Sequence, residues 1–299
     1  MKYLAESVQK LNTPDRGKRI LVAVVCVVLS SISLSGCANI FESMADQGTQ
    51  DAIQYNFDRY LAKGSWSEAI AEYDLLTDVN KQNRNNLAGL ASAYAGRCGL
   101  DILALIDTIQ ADDDSAGRLF QLLVSSFPLG TETKSEDCVT SIDILAAIAP
   151  SATSRSVSEN LLGTFVGLAT LGTYLTYRGD ADEDGTIDST WDPCGGSGAT
   201  DLTNDEVNQL TVSLAFAISS FSAAGTSIGG QDLETIAGVC DQLEDQDPAL
   251  NFCSVQDPSA VTAPQRAAMR ALIVENESVG LGIQDRSLVQ ALGVCALIP

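Results

Sequence analysis

Apolar residues recur along most of this chain at intervals of three and four, the period of a helix with one buried face, and strand-like alternation is scarce. The fold class this predicts is all-α, either a helical bundle or a short α-solenoid of antiparallel helix pairs. Ile53, Phe57 and Tyr60 line one face of a helix over 46–60. Ser65, with Glu68 three residues on, has the pattern of an N-cap and capping box and opens a helix running to about residue 77. Further helices are expected over 83–95, 100–111, 116–126 and 137–149, with Pro128 and Gly130 breaking the chain and Pro150 ending the last.

Beyond Pro150 the pattern changes. Segments 160–177 and 207–230 contain no charged residue, and Gly163, Gly167 and Gly172 punctuate the first of them. Both are apolar enough to suggest membrane spans with small-residue packing faces. Their Asn, Gln, Ser and Thr content favours instead two central helices of a bundle, buried on most sides. Asp201 or Thr203 is placed to cap the second, and Asp205 and Glu206 suit the positive end of its dipole. Helices over 232–243, 263–275 and 287–297 complete the expected set. The short stretch from Pro150 to Ser158, rich in Ser and Thr, marks the best boundary between a region 37–150 and a region 151–299.

Within the first region, Gly64, Trp66, Ala69 and Tyr73 stand at the spacing of an inter-helix glycine, an aromatic, a small residue and a packing aromatic. Ile53, Asn56, Phe57 and Tyr60 are followed 34 residues later by Leu87, Leu90, Ala91 and Tyr94. The stretch resembles a tetratricopeptide repeat, in which a small residue lets paired helices approach and aromatics fill the space beside it. It departs from the family in Phe57, where a small residue is usual, and in the lack of a closing proline near Lys81. The resemblance covers one and a half repeats and implies binding of a peptide or protein segment.

The N-terminus carries a different signal. Lys10, Arg16, Lys18 and Arg19 precede an apolar run over 20–34 that ends in Leu34-Ser35-Gly36-Cys37. The run, at about 15 residues, falls short of the roughly 20 that span a bilayer. Leu34 to Cys37 resembles the lipobox of bacterial lipoproteins, which implies a cleaved signal peptide over 1–36 and a diacylglyceryl group on the Cys37 sulfur. Ala38 follows, where an aspartate would resemble the inner-membrane retention signal, so the resemblance implies an outer-membrane lipoprotein of the cell envelope, on its periplasmic or surface face. Several acyl chains make such attachment effectively permanent.

Charge and composition narrow the function. The chain carries a net charge of −22 with no histidine, and the leader takes away more basic residues than acidic ones. A chain this acidic is repelled by nucleic acid and by anionic headgroups, so its membrane contact is through the lipid alone. Without histidine there is no Ser-His-Asp or Cys-His nucleophile, no imidazole base and no mixed Cys/His zinc site. The sequence contains no phosphate-binding glycine loop, dinucleotide fingerprint or nucleophile elbow. Catalysis is disfavoured.

Six cysteines remain after Cys26 and Cys37 are set aside: Cys98, Cys138, Cys194, Cys240, Cys253 and Cys295. An even number in an exported chain predicts three disulfides, with about 15 connectivities open. Proximity along the chain alone suggests Cys98 with Cys138, Cys240 with Cys253, and Cys194 with Cys295.

The strongest local motif of the mature chain is Asp180, Asp182, Asp184, Gly185, Thr186, Ile187 and Asp188. A hard cation wants six to eight oxygens at about 2.3–2.6 Å, and alternate side chains of a curling loop converge on one point. The segment resembles the first nine positions of an EF-hand-type calcium loop. The resemblance assigns Asp180, Asp182, Asp184 and Asp188 as Ca2+ ligands through their carboxylates, and Thr186 through its carbonyl. Trp191 stands at the twelfth position, where a bidentate glutamate belongs, and Asp192 one residue later is the candidate to close the shell. The extracellular loops it most resembles bind calcium at about 10⁻⁴–10⁻³ M, which implies a structural ion.

These features favour a non-enzymatic, lipid-anchored scaffold or adaptor that binds another envelope protein. The alternatives are an accessory solute-binding subunit of a transport system, with an apolar cavity lined by Tyr55, Tyr60, Trp66 and Tyr94, and a glycan hydrolase working through paired carboxylates.

Overall fold

The computed structural model describes residues 48–111, 119–127, 130–188, 191–194, 201–225, 230–274 and positions 291, 292 and 295. Among these residues there are α-helices and short 3-10 turns and no strand. The helices are α1 (Gln50–Lys63), α2 (Trp66–Asp74), α3 (Asp78–Lys81), α4 (Arg84–Cys98), α5 (Ile102–Ala111), α6 (Leu119–Ser126), α7 (Glu132–Ile148), α8 (Val157–Gly179), α9 (Asn204–Ala224), α10 (Gly230–Gln246) and α11 (Ala263–Val274). The chain divides into two compact units, Met1–Ala52 and Ile53–Pro299. Of the first, the described residues are those at the start of α1, where the Ala52 N–H donates to Thr49 Oγ1 at 3.2 Å. Cys37 and its lipobox lie outside the described residues.

In the second unit, α8 is the central element. It packs against α9 on one side and α6 and α7 on others, and α11 closes on α9. The uncharged composition of α8 and α9 is explained by this placement. From Gly163 to Thr176 every residue of α8 is buried, and its hydroxyls are satisfied along the helix: Thr164 donates to the Asn160 carbonyl at 2.9 Å, Thr170 to Val166 at 2.8 Å and Thr173 to Ala169 at 2.9 Å. Helix α9, 21 residues long, is apolar enough to cross a membrane by length and composition, yet 67% of its most apolar window is buried inside the protein. Both helices open with complete capping boxes. Ser156 and Glu159 form the first, Thr203 and Glu206 the second. The core built around α8 draws on both sides of Pro150, joining Ala91, Phe120 and Leu145 to Leu168, Leu214 and Leu272.

A smaller apolar cluster joins α1, α2 and α4 through Phe57, Ala69, Ile70, Tyr73, Leu90 and Ala93. Gly64 turns the chain between α1 and α2 with φ +69°, a left-handed conformation that favours glycine. The Phe57 and Tyr73 rings lie 5.8 Å apart, and the fully buried Ala69 leaves room for that approach. Trp66 lies across Gly96 of α4, where a Cβ would collide with the indole. The Ser65 capping box is a correction to the sequence reading. Ser65 does occupy the N-cap, but its side chain makes no capping bond and its backbone, at ψ 72°, lies outside the extended conformation that aims an N-cap oxygen at the first turn. A second correction concerns α7, which begins at Glu132 rather than 137, capped by Thr131, whose hydroxyl accepts from the Lys134 N–H. Its buried face uses Ser135 and Ser141, which apolar periodicity does not register.

Ion pairs and disulfides tie these helices together. Arg84 grips Glu159 through Nε at 2.8 Å and Nη2 at 2.6 Å, fastening α4 to the start of α8. Arg97 grips Asp137 in the same forked manner at 2.7 and 2.6 Å, between α4 and α7. Cys98–Cys138 lies beside that pair, with Cα atoms 5.3 Å apart. Cys240–Cys253 links α10 to the turn after it, Cα atoms 6.0 Å apart, and Cys194–Cys295 brings together residues 101 apart in sequence, Cα atoms 4.8 Å apart. These are the three pairs that sequence proximity suggests.

Candidate metal centre

Helix α8 ends at Gly179 because the next residues must curl. Asp180 caps the helix, Glu183 takes φ +59° and Gly185 φ +84°, two left-handed positions within three residues. The curl is fastened from inside. Asp180 is 3% exposed, and its two carboxylate oxygens accept the Asp184 N–H at 3.0 Å and the Gly185 N–H at 2.9 Å. The N–H of Thr186 donates to Asp184 Oδ1 at 2.8 Å, and so does its hydroxyl. Asp188 closes the loop on itself: its N–H donates to the Gly179 carbonyl at 2.7 Å, and its Oδ2 accepts from the Ala181 N–H at 3.0 Å.

This folding brings one ligand oxygen from each of Asp180, Asp182 and Asp184 within 4.8 Å of one another. Asp182 and Asp184 are exposed, so the cluster opens to solvent on one side and rests on a buried carboxylate on the other. The negative charge is felt locally. Asp184 above all, then burial and Asp188, raise the Asp182 carboxyl above its ordinary pKa. A trio of hard oxygen donors without thiol or imidazole suits calcium, magnesium or manganese rather than a softer metal.

The remaining candidates fall as follows. Asp188 lies beside the trio and is held by Ala181. Asp192, at the loop's exit, is exposed, and its Oδ1 accepts the Cys194 N–H at 2.9 Å. Thr186 commits its N–H and hydroxyl to Asp184. Trp191 is buried, and with Ile187 it packs against Gly179, where a Cβ would stand 3.2 Å from the indole and 2.6 Å from Ile187 Cδ1. The residue at the twelfth position thus anchors the loop to the core.

Several residues that support this loop are invisible to motif reading. Arg178, one residue before the end of α8, pairs with Glu206 at 2.7–2.8 Å and binds the end of α8 to the start of α9. Gln121 of α6 reaches the Gly185 carbonyl at 3.5 Å. Arg270 of α11 is almost fully buried and spans the loop's exit, donating to the Pro193 carbonyl at 2.6 Å, the Leu202 carbonyl at 2.9 Å and Asn204 Oδ1 at 3.3 Å. Burial lowers the Arg270 pKa, opposed chiefly by Asp201. The signal in sequence was a charge set among Ala268, Met269, Ala271, Leu272 and Ile273 in the apolar half of the helix. With Cys194–Cys295, Arg270 pins the segment after the acidic loop from two sides.

Comparison with known protein families, with functionally characterised proteins and with solved structures finds no match to this chain.

Proposed function

We propose that this protein is a non-enzymatic scaffold of the bacterial cell envelope, anchored to the outer membrane by a lipid on Cys37, which holds another envelope protein and carries a structural calcium ion in loop 180–192. The observation that carries the reading is where the arginine charge goes. Arg84, Arg97, Arg178 and Arg270 are each spent on fastening one element to another, and the acidic trio sits at the end of the central helix, held between α6, α8 and the Arg270 clamp. Together with three disulfides this is the construction of a stiff platform. A calcium ion bound to Asp180, Asp182 and Asp184 would neutralise the loop and fix its curl, and the lipobox supplies the anchor.

A second reading, an accessory solute-binding subunit, draws on a groove beside Trp66. The structure gives that groove other walls than the expected Tyr55, Tyr60 and Tyr94: Ala95, Leu100, Leu103 and Leu162 line it with Trp66. The test is crosslinking of the lipidated protein in its native envelope, followed by recovery with and without chelator. The scaffold reading predicts one defined envelope protein, recovered in lower yield with chelator. Recovery of no partner by an intact, folded chain refutes it.

A further inference from the structure

Beside the α4–α5 corner lies an open groove of about 490 Å³ whose lining includes Trp66, Ala95, Leu100, Asp101, Leu103 and Leu162. Its floor is made of small residues: Gly96 is kept bare by the indole above it, and a Cβ on Gly99 would meet nothing within 4 Å. Leu103 stands on its rim 75% exposed, among the most exposed large apolar side chains of the described residues. An apolar side chain held in water beside a groove it could help close gains by being covered.

The charge around the groove is one-sided. Asp101 lines it, its Oδ1 capping α5 through the Ala104 N–H at 3.0 Å, and Asp107, exposed, lies one turn beyond Leu103 on the same helix. Among the described residues no cation lines it, and the nearest along the chain, Arg97, is committed to Asp137. The whole protein carries −22. We infer that this groove is the docking surface of the scaffold, and that it takes a peptide segment of its partner in which bulky apolar residues alternate with lysine or arginine. The apolar side chains lie between Trp66, Leu103 and Leu162, and a basic side chain reaches Asp101. This assignment rests on the scaffold reading and names its contact surface.

The test uses the two tryptophans of the chain as reporters. Trp66 lines the groove, whereas Trp191 is buried in the acidic loop. In the purified protein labelled with ¹⁵N-tryptophan, the hexapeptide KLFKLK is expected to move the Trp66 indole signal saturably and leave that of Trp191 in place. The acidic twin ELFELE is expected to bind at least about tenfold more weakly. Leu103→Ala, exposed and neutral to folding, is expected to weaken KLFKLK about fivefold. Asp101→Asn keeps the helix cap and is expected to weaken it about threefold in low salt and not at all in high salt. Equal binding of the two peptides, no movement of Trp66, or movement by decanoate alone overturns the assignment, the last identifying an acyl-chain groove. If the groove fails while crosslinking still recovers a partner unaffected by Leu103→Ala, the scaffold reading stands and the partner docks elsewhere.

Discussion

Replacing Gly167 by alanine adds a single methyl where α8 crosses α9. On its own the change favours a helix by about 0.8–1 kcal/mol. Here the new Cβ would stand 2.7 Å from the Ser213 carbonyl oxygen and 2.9 Å from the Ala217 Cβ, and 3.3 Å from the Ala217 Cα. Backbone and a Cβ cannot rotate away, so the two central helices must part by several tenths of an ångström along their shared seam. Overpacking of this kind costs about 1–3 kcal/mol, which offsets the propensity gain and leaves a net loss of up to about 2 kcal/mol. Gly238 in α10 is the control, because a Cβ there meets nothing within 4 Å. Gly238→Ala is therefore expected to stabilise the protein by about 0.5–1 kcal/mol. Urea unfolding followed by circular dichroism should move the two midpoints in opposite directions at constant slope. If both variants are stabilised alike, the close approach of α8 and α9 is wrong.

Other perturbations test other joints. Arg84, by hydrogen bonding first of all, holds the Glu159 carboxyl down to about 2 from an ordinary 4.5. A depressed carboxylate stabilises the fold above its unfolded pKa and loses that contribution as pH falls through the folded value. With Arg84 half exposed, Glu159→Gln is expected to cost about 1 kcal/mol at pH 7, and the gap to the parent in urea midpoint should close as pH falls from about 4.5 toward 2; a gap independent of pH refutes the pairing. Arg270→Met leaves the Pro193 and Leu202 carbonyls without their donor and is expected to lower stability by about 2 kcal/mol, measured in the same way; an unchanged midpoint shows the clamp to be idle. Removal of Cys194–Cys295, with a sequence separation of 101, is expected to cost about 4–5 kcal/mol in the chain-entropy account. Removal of Cys240–Cys253, separation 13, is expected to cost about 3 kcal/mol, so their order in reducing-agent-free melts tests both assignments.

What sequence made legible follows the range of the interaction. The absence of charge over 160–177 and 207–230 located the two central helices, because burial on all sides leaves no face for a charge. The Thr203 cap was readable for the same local reason. Ser156 with Glu159 offers a box of the same pattern that does form, whereas at the Ser65 pair the turn led by Gly64 sets a backbone that cannot cap. The start of α7 lies before 137 because Ser135 is buried there, and a buried serine looks like a surface residue in a pattern. Arg84–Glu159 and Arg97–Asp137 join residues 75 and 40 apart, and no local rule pairs them. At the acidic loop, alternation brings Asp180, Asp182 and Asp184 together, while the packing of Trp191, the departure at the twelfth position, against Gly179 depends on the tertiary fold and no motif shows it.

The proposed divalent cation in the loop after α8 is the part of this reading most open to direct measurement. Calorimetric titration of calcium chloride into the chelator-stripped protein tests it directly. The account predicts one saturable site with Kd about 10⁻⁴–10⁻³ M and a higher melting temperature in its presence. Both are expected to be lost in Asp182→Asn, which removes one exposed carboxylate of the trio. No saturable binding, or binding that Asp182→Asn leaves unchanged, would contradict it.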